Sequence, residues 1–242
     1  MKVIIAGATG FVGTELLRQS LRMPSITSVV AFSRRPIDTS GSIGQPGADL
    51  SKLKSITIDA YDKYSDEAKA EFGSADACIW TVAITPSKSS LYDWDEVRRI
   101  CHESPLACLQ AALESRSSGE NASREPLRFI YMSGATAERD QTKTPSYKPK
   151  YTLLRGETEN AILALTKQHH ANIQACIVKS GFIVAPNDLL KIAFGFALKW
   201  VASVPTIDVR EISAAMLDQA TTGFDKDTLD NGDLIRLGHG KV

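Results

Sequence analysis

Residues Lys2-Val3-Ile4-Ile5-Ala6 run straight into Gly7-Ala8-Thr9-Gly10-Phe11-Val12-Gly13, and a helical pattern follows over 14–21. The unbroken apolar run VIIA reads as a strand covered on both faces, as parallel sheets require. Glycine at the turn accepts positive φ, and its missing side chain lets backbone amides approach a diphosphate. The third glycine allows the helix to pack closely on the strand. The helix start adds partial positive charge and free N–H donors. The spacing is GxxGxxG, one residue longer in its first interval than the usual dinucleotide fingerprint. Bare spacing is weak; spacing that follows a buried strand and opens a helix points to a nucleotide-binding turn. An ordinary tight strand-to-helix turn is the alternative.

Working outward, further short apolar runs read as strands at 27–32, 55–58, 76–81, 127–132 and 172–178. Helical patterns fall at 11–22, 62–72, 91–114 and 151–169. Strands alternating with helices imply an α/β fold with a doubly wound parallel sheet. Loops rich in Gly, Pro, Ser or Thr occupy 33–54, 115–126 and 134–150. The whole of 1–242 reads as one dinucleotide-binding domain. Residues 182–242 are expected to form a small helical cap on the substrate side, with helices near 188–202 and 209–221.

Composition narrows the function. The chain has 242 residues, 43% hydrophobic and 23% charged, with 28 basic against 28 acidic side chains. A core is affordable, and disorder is excluded. Charge balance argues against a nucleic-acid partner. The uncharged apolar run at 192–198 is far below the ~20 residues of a membrane span. Cys78, Cys101, Cys108 and Cys176 lack CxxC spacing and suit buried thiols in a reducing compartment, so a cytoplasmic protein is expected. His169 and His170 face different directions on a helix, and His102 and His239 stand apart, so no metal site is expected. Asn121-Ala122-Ser123 matches a glycosylation sequon without meaning in the cytosol.

The end of the second strand bears on the choice of nucleotide. It reads Ser33-Arg34-Arg35-Pro36, with no acid before Asp38. Two guanidiniums and a hydroxyl suit a 2′-phosphate, which favours NADP(H) over NAD. A solvated basic pair on a loop is the plainer reading. Asp59 either receives the adenine amino group or caps the helix after it.

These motifs resemble the atypical branch of the short-chain dehydrogenase/reductase superfamily, in particular oxidoreductases similar to the Tat-interacting protein and their fungal mitochondrial relatives. The likeness covers about residues 1–185, through Met132-Ser133-Gly134-Ala135, Tyr151-Thr-Leu-Leu-Arg155-Gly156-Glu157 and Lys179-Ser180-Gly181. It implies that Ser133 polarises a substrate carbonyl and that Tyr151 moves the proton. Where the family's YxxxK motif has lysine, this chain has Arg155. Position i+4 keeps a cation beside the phenol and should lower its pKa, but arginine cannot relay a proton. The family's Arg-Pro-Gly is replaced at two of three places by Lys179-Ser180-Gly181; Gly181, Phe182 and Ile183 are expected to meet the nicotinamide. Val82 and Ala83, within Thr81–Thr85, are expected to line the ribose through backbone groups. Plainer alternatives stand beside each role: Ser133 as a turn residue, Tyr151 as packing, and Tyr147 as a rival tyrosine without a cation at i+4.

The stretch 189–204 places Leu190, Phe194, Leu198 and Val201 on one apolar stripe, either a substrate lid, a helix docked on the sheet edge or a dimer contact. Trp80 and Trp94 are candidates to border the same pocket. As a lid it implies an apolar substrate without phosphate or carboxylate. The leading reading is an NADPH-dependent reductase of a small hydrophobic carbonyl or imine. A non-enzymatic dinucleotide-binding interaction protein, and a non-redox isomerase or cyclase, are the alternatives. Oligomeric state is left open.

Overall fold

The computed structural model describes residues 1–41, 43–117, 125–185 and 205–241. Seven parallel strands run in the order β3-β2-β1-β4-β5-β6-β9. They are β1 (Lys2–Ala6), β2 (Ser28–Ser33), β3 (Leu53–Thr57), β4 (Ala77–Trp80), β5 (Leu127–Gly134), β6 (Ile173–Ser180) and β9 (Thr228–Leu229). The first six follow the doubly wound order expected of two βαβαβ halves. The register pairs Ala6 with both Phe32 and Trp80, and Trp80 with Tyr131. The carboxyl ends of the central strands therefore finish level, where such sheets bind ligands.

Alternation along each strand builds two cores. Val3, Ile5, Val29, Ala31, Ile79 and Ile130 face one side, against Leu16, Leu17, Ile212 and Met216. Ile4, Ala6, Val30, Phe32, Trp80, Phe129 and Tyr131 face the other, against Phe72, Leu109 and Ile162. The first side is covered by α1 (Phe11–Ser20), α6 (Val209–Thr222) and α7 (Asn231–Gly238); the second by α2 (Asp66–Ser74), α4 (Ser104–Arg116) and α5 (Pro149–Gln168).

The helix expected at 91–114 is interrupted. A 3₁₀ turn over Pro86–Leu91 precedes α3 (Trp94–Arg98), a π-helical turn over Arg99–Glu103 and then α4. Pro105 has no N–H to give the carbonyl of Cys101 four residues back, which widens the turn. That buried carbonyl is satisfied from elsewhere, by the hydroxyls of Tyr131 at 3.3 Å and Thr158 at 3.2 Å.

Beyond residue 181 the described chain is not a purely helical cap. β7 (Phe182–Val184) pairs with β8 (Thr206–Asp208) in a small parallel sheet, β9 joins the edge of β6, and α6 lies against α1. The apolar faces of α6 and α7 complete the main core rather than a separate one. The helix expected at 188–202, with its lid reading, and the sequon at 121–123 lie outside the described residues. All four cysteines are buried thiols. Among the described residues no helix is long and apolar enough to cross a membrane, and no cluster of His, Cys, Asp or Glu fits a metal ion.

Candidate dinucleotide site

The turn after β1 is shaped by its glycines. Gly7 has φ +87°, and its amide and that of Ala8 donate to the Phe32 carbonyl at 3.0 and 3.2 Å. A Cβ on Gly13 would overlap the Gly7 carbonyl oxygen, so the first turn of α1 sits directly on the loop. Gly10 precedes α1, no side chain caps it, and no acid occupies the first turn. Phe11 stands half exposed at the mouth, whereas Val12 is packed into the core and contributes only backbone. An uncapped helix start beside a glycine cradle is an anion site in waiting.

Thr9, Thr14, Arg35 and Pro36 line one cleft of about 390 Å³ with Ala8, Ile37 and Asp38. The structure thus brings Arg35 to the glycine turn. Arg34 is not part of that lining; its charge is felt at Tyr61, whose phenol is nevertheless raised by burial, and at Glu96. Ser33 departs from expectation. It is fully buried and its Oγ donates to the Arg35 carbonyl at 2.6 Å, so it holds the arginine turn in shape and does not present a hydroxyl. Asp59 is exposed after β3 and does not cap α2, which Ser65 caps through the Ala68 amide at 3.2 Å.

Elsewhere on the sheet, α5 lays its first turns against the loop leaving β4 and the end of β5. Tyr151 Oη donates to the Ile84 carbonyl at 2.7 Å, and Trp80 Nε1 to the Val82 carbonyl at 3.0 Å. Val82 and Ala83 are half buried between them. Arg155 Nη2 donates to the Met132 carbonyl at 2.8 Å, its guanidinium lies 5.1 Å from the Tyr131 ring centre, and its buried Nε has no partner among the described residues. Burial raises the Tyr151 phenol, and the Arg155 charge opposes this only in part. The cation does pull the phenol down, but at 6% exposure the missing hydration outweighs one neighbouring charge and the net shift is upward.

Ser133, next to last in β5, is only 5% exposed, with its Oγ 2.5 Å from Glu159 Oε1. Glu159 is completely buried and also receives Arg139 Nε at 2.6 Å and Lys179 Nζ at 3.3 Å. Sequence reasoning missed Glu159; the signal was its place on one face with Tyr151 and Arg155, at i+8 and i+4. After β6, the Gly181 amide donates to Asn231 Oδ1 at 2.8 Å and the Phe182 amide to the Pro205 carbonyl at 2.7 Å. These two amides, with Ile183 in β7, face the tail segment rather than standing open.

The fold is of the Rossmann type. Solved structures with this architecture include MoeE5 in complex with UDP-glucuronic acid and NAD, at TM-score 0.65 and 16% identity, covering 95% of this chain and 76% of that one. The PhqB reductase domain from Penicillium fellutanum matches at TM-score 0.66 and 21% identity over 96% of this chain and 67% of that one. The Bordetella bronchiseptica enzyme WbmF in complex with NAD+ and UDP matches at 0.65 and 14% identity over 97% and 75%. In sequence, the chain is similar to Protein FMP52, mitochondrial, of Candida albicans, 27% identical over 140 residues. That match spans 54% of this chain and 56% of the relative, little more than half of either. No family model matches.

Proposed function

We propose that this chain is an NADP(H)-dependent oxidoreductase of the atypical short-chain dehydrogenase/reductase kind, reducing a small hydrophobic carbonyl or imine. The observation that carries it is the single cleft shared by the glycine turn and Arg35. The residues fit the dinucleotide: a Cβ would fill the cradle at Gly13, the helix start is uncapped, and Arg34 and Arg35 are exposed cations without a carboxylate partner among the described residues. Gly7, Thr9, Gly10, Phe11, Val12 and Gly13 would hold the diphosphate, and Arg34 and Arg35 the 2′-phosphate, with Ser33 bracing their turn. Asp59 would meet the adenine; Val82, Ala83, Gly181, Phe182 and Ile183 would border the nicotinamide half. Bound NADPH would supply the hydride.

The chain's own groups supply the rest. Burial keeps the Tyr151 phenol protonated, which suits a general acid. Its proton must leave the Ile84 carbonyl and turn to the substrate, an exchange of one neutral hydrogen bond for another. Arg155, with a buried N–H lacking a partner among the described residues, stabilises charge developing at the reacting oxygen or nitrogen. Ser133 contacts the substrate beside Tyr151. The likeness to the fungal mitochondrial protein supports the family reading, and four buried thiols support a reducing compartment, which we take to be the cytoplasm. Fractionation checks the latter: enrichment with mitochondria overturns it.

A second reading has its own observation. Tyr151, Ser133 and Arg155 all donate to groups of the protein itself, as in a scaffold that binds the nucleotide without turning it over. Calorimetry with NADPH against NADH, then a carbonyl and imine panel followed at 340 nm, separates the two. Tight NADPH binding with no oxidation across the panel favours the scaffold; no NADPH binding defeats both.

A further inference from the structure

We propose that Glu159 is a positioning residue that holds the single hydroxyl proton of Ser133 in a hydrogen bond, so that the site selects substrates carrying an O–H or N–H beside the reducible carbon. This rests on the oxidoreductase reading. A carboxylate flanked by Arg139 and Lys179 only accepts, so the proton in the 2.5 Å contact belongs to Ser133. Each cation has a second anchor. Arg139 Nη2 is anchored on Thr228 Oγ1 at 2.9 Å, and Lys179 Nζ on the Ala137 carbonyl at 2.7 Å.

The two hydroxyls of the site therefore differ in kind. Tyr151 donates to a neutral carbonyl and can trade that bond for an equal one to substrate. Ser133 makes a charge-assisted bond, about twice as strong, to a carboxylate with no exposure to water. Withdrawing its proton would strip a buried charge of a donor. Tyr151 is the mobile donor, and Ser133 meets the substrate with lone pairs. A plain ketone offers Ser133 nothing; an α-hydroxy ketone, or an iminium with its N–H, offers a donor.

The test is calorimetry on protein saturated with NADP+, which leaves a ketone unreduced, using 2-hydroxyacetophenone against acetophenone. The hydroxy ketone should bind about tenfold tighter to the wild type, the worth of one added hydrogen bond. Ser133→Ala should bring the two probes level. In Glu159→Gln, Arg139 and Lys179 hold the amide oxygen and turn its NH2 to Ser133, freeing the serine proton; the preference should vanish or reverse. Ser133→Ala removes one atom and keeps the test decisive where Glu159→Gln does not fold, as thermal melts will tell. Equal affinities in the wild type, a preference that survives Ser133→Ala, or no binding of either probe would overturn the inference. Wild type that fails to bind NADP+ at all fails the oxidoreductase reading instead.

Discussion

Tyr151 Oη and the Ile84 carbonyl, 2.7 Å apart, tie the first turn of α5 to the loop leaving β4. The bond is buried, so its loss has two separable effects. Tyr151→Phe leaves the Ile84 carbonyl with only the weak Cys101 thiol donor at 3.6 Å, which costs about 0.5–1.5 kcal/mol and should lower the melting temperature by a few degrees. If Tyr151 is also the acid, turnover should fall by about 10²–10⁴ with NADPH affinity unchanged. A Phe variant that is less stable yet fully active assigns the tyrosine a packing role only.

Gly13 tests the cradle independently of the chemistry. Its missing Cβ is replaced in space by the Gly7 carbonyl oxygen, a backbone atom that cannot swing aside. Gly13→Ala must push α1 off the loop, with an overpacking cost of about 1–3 kcal/mol. NADPH affinity should drop at least as steeply as stability, because the displaced helix start is the proposed diphosphate site. Unchanged affinity in a folded Gly13→Ala protein, read by calorimetry, counts against the site.

The β1–turn–α1 unit was readable because it is local: an apolar run, three glycines and a helical pattern lie within twenty residues. The break inside 91–114 also has a local mark, Pro105, but only the packing of β5 and α5 reveals that Tyr131 and Thr158 supply the hydrogen bonds to Cys101. β7, β8 and β9, three, three and two residues long, are too short to display a period. Glu159 was hidden for a different reason. Arg139 and Lys179 lie 20 residues before and after it, and nothing along the chain says that the three meet. The same holds for Ser33, whose hydroxyl suits a phosphate by sequence and is engaged by the Arg35 carbonyl in the folded turn.

Alkaline pH should unfold this protein in a definite window. Burial raises the phenols of Tyr131 and Tyr151 and pushes the Cys176 thiol up to about 12. A group with a raised folded pKa binds its proton more tightly when folded. Its contribution is complete below the unfolded value and is lost as pH climbs through the folded one. For Cys176 that loss runs from its ordinary 9.0 to about 12, and the phenols add to it above their ordinary 10.0. Each group removes up to about 1.4 kcal/mol per pH unit while in its window. Urea midpoints should be flat from pH 7 to 8.5 and fall steeply above 10. Cys176→Ala should flatten the first part of that fall; an identical slope would assign the loss to other groups.

The arginine pair should divide its labour unequally. Arg35 lines the cleft with Thr9 and Thr14, while Arg34 is outside that lining and its charge acts on Tyr61 and Glu96. A charge-assisted bond to phosphate contributes about 1.5–3 kcal/mol, or roughly tenfold to a hundredfold in affinity. Arg35→Ala should therefore weaken NADPH by that factor and leave NADH within about twofold, with Arg34→Ala the milder of the two. Because both side chains are exposed, raising the salt from 0.05 to 0.5 M should also erode the NADPH preference, as screening of solvated charges demands. Titrations in which Arg35→Ala lowers both affinities equally would move its role from the 2′-phosphate to the diphosphate that the two nucleotides share.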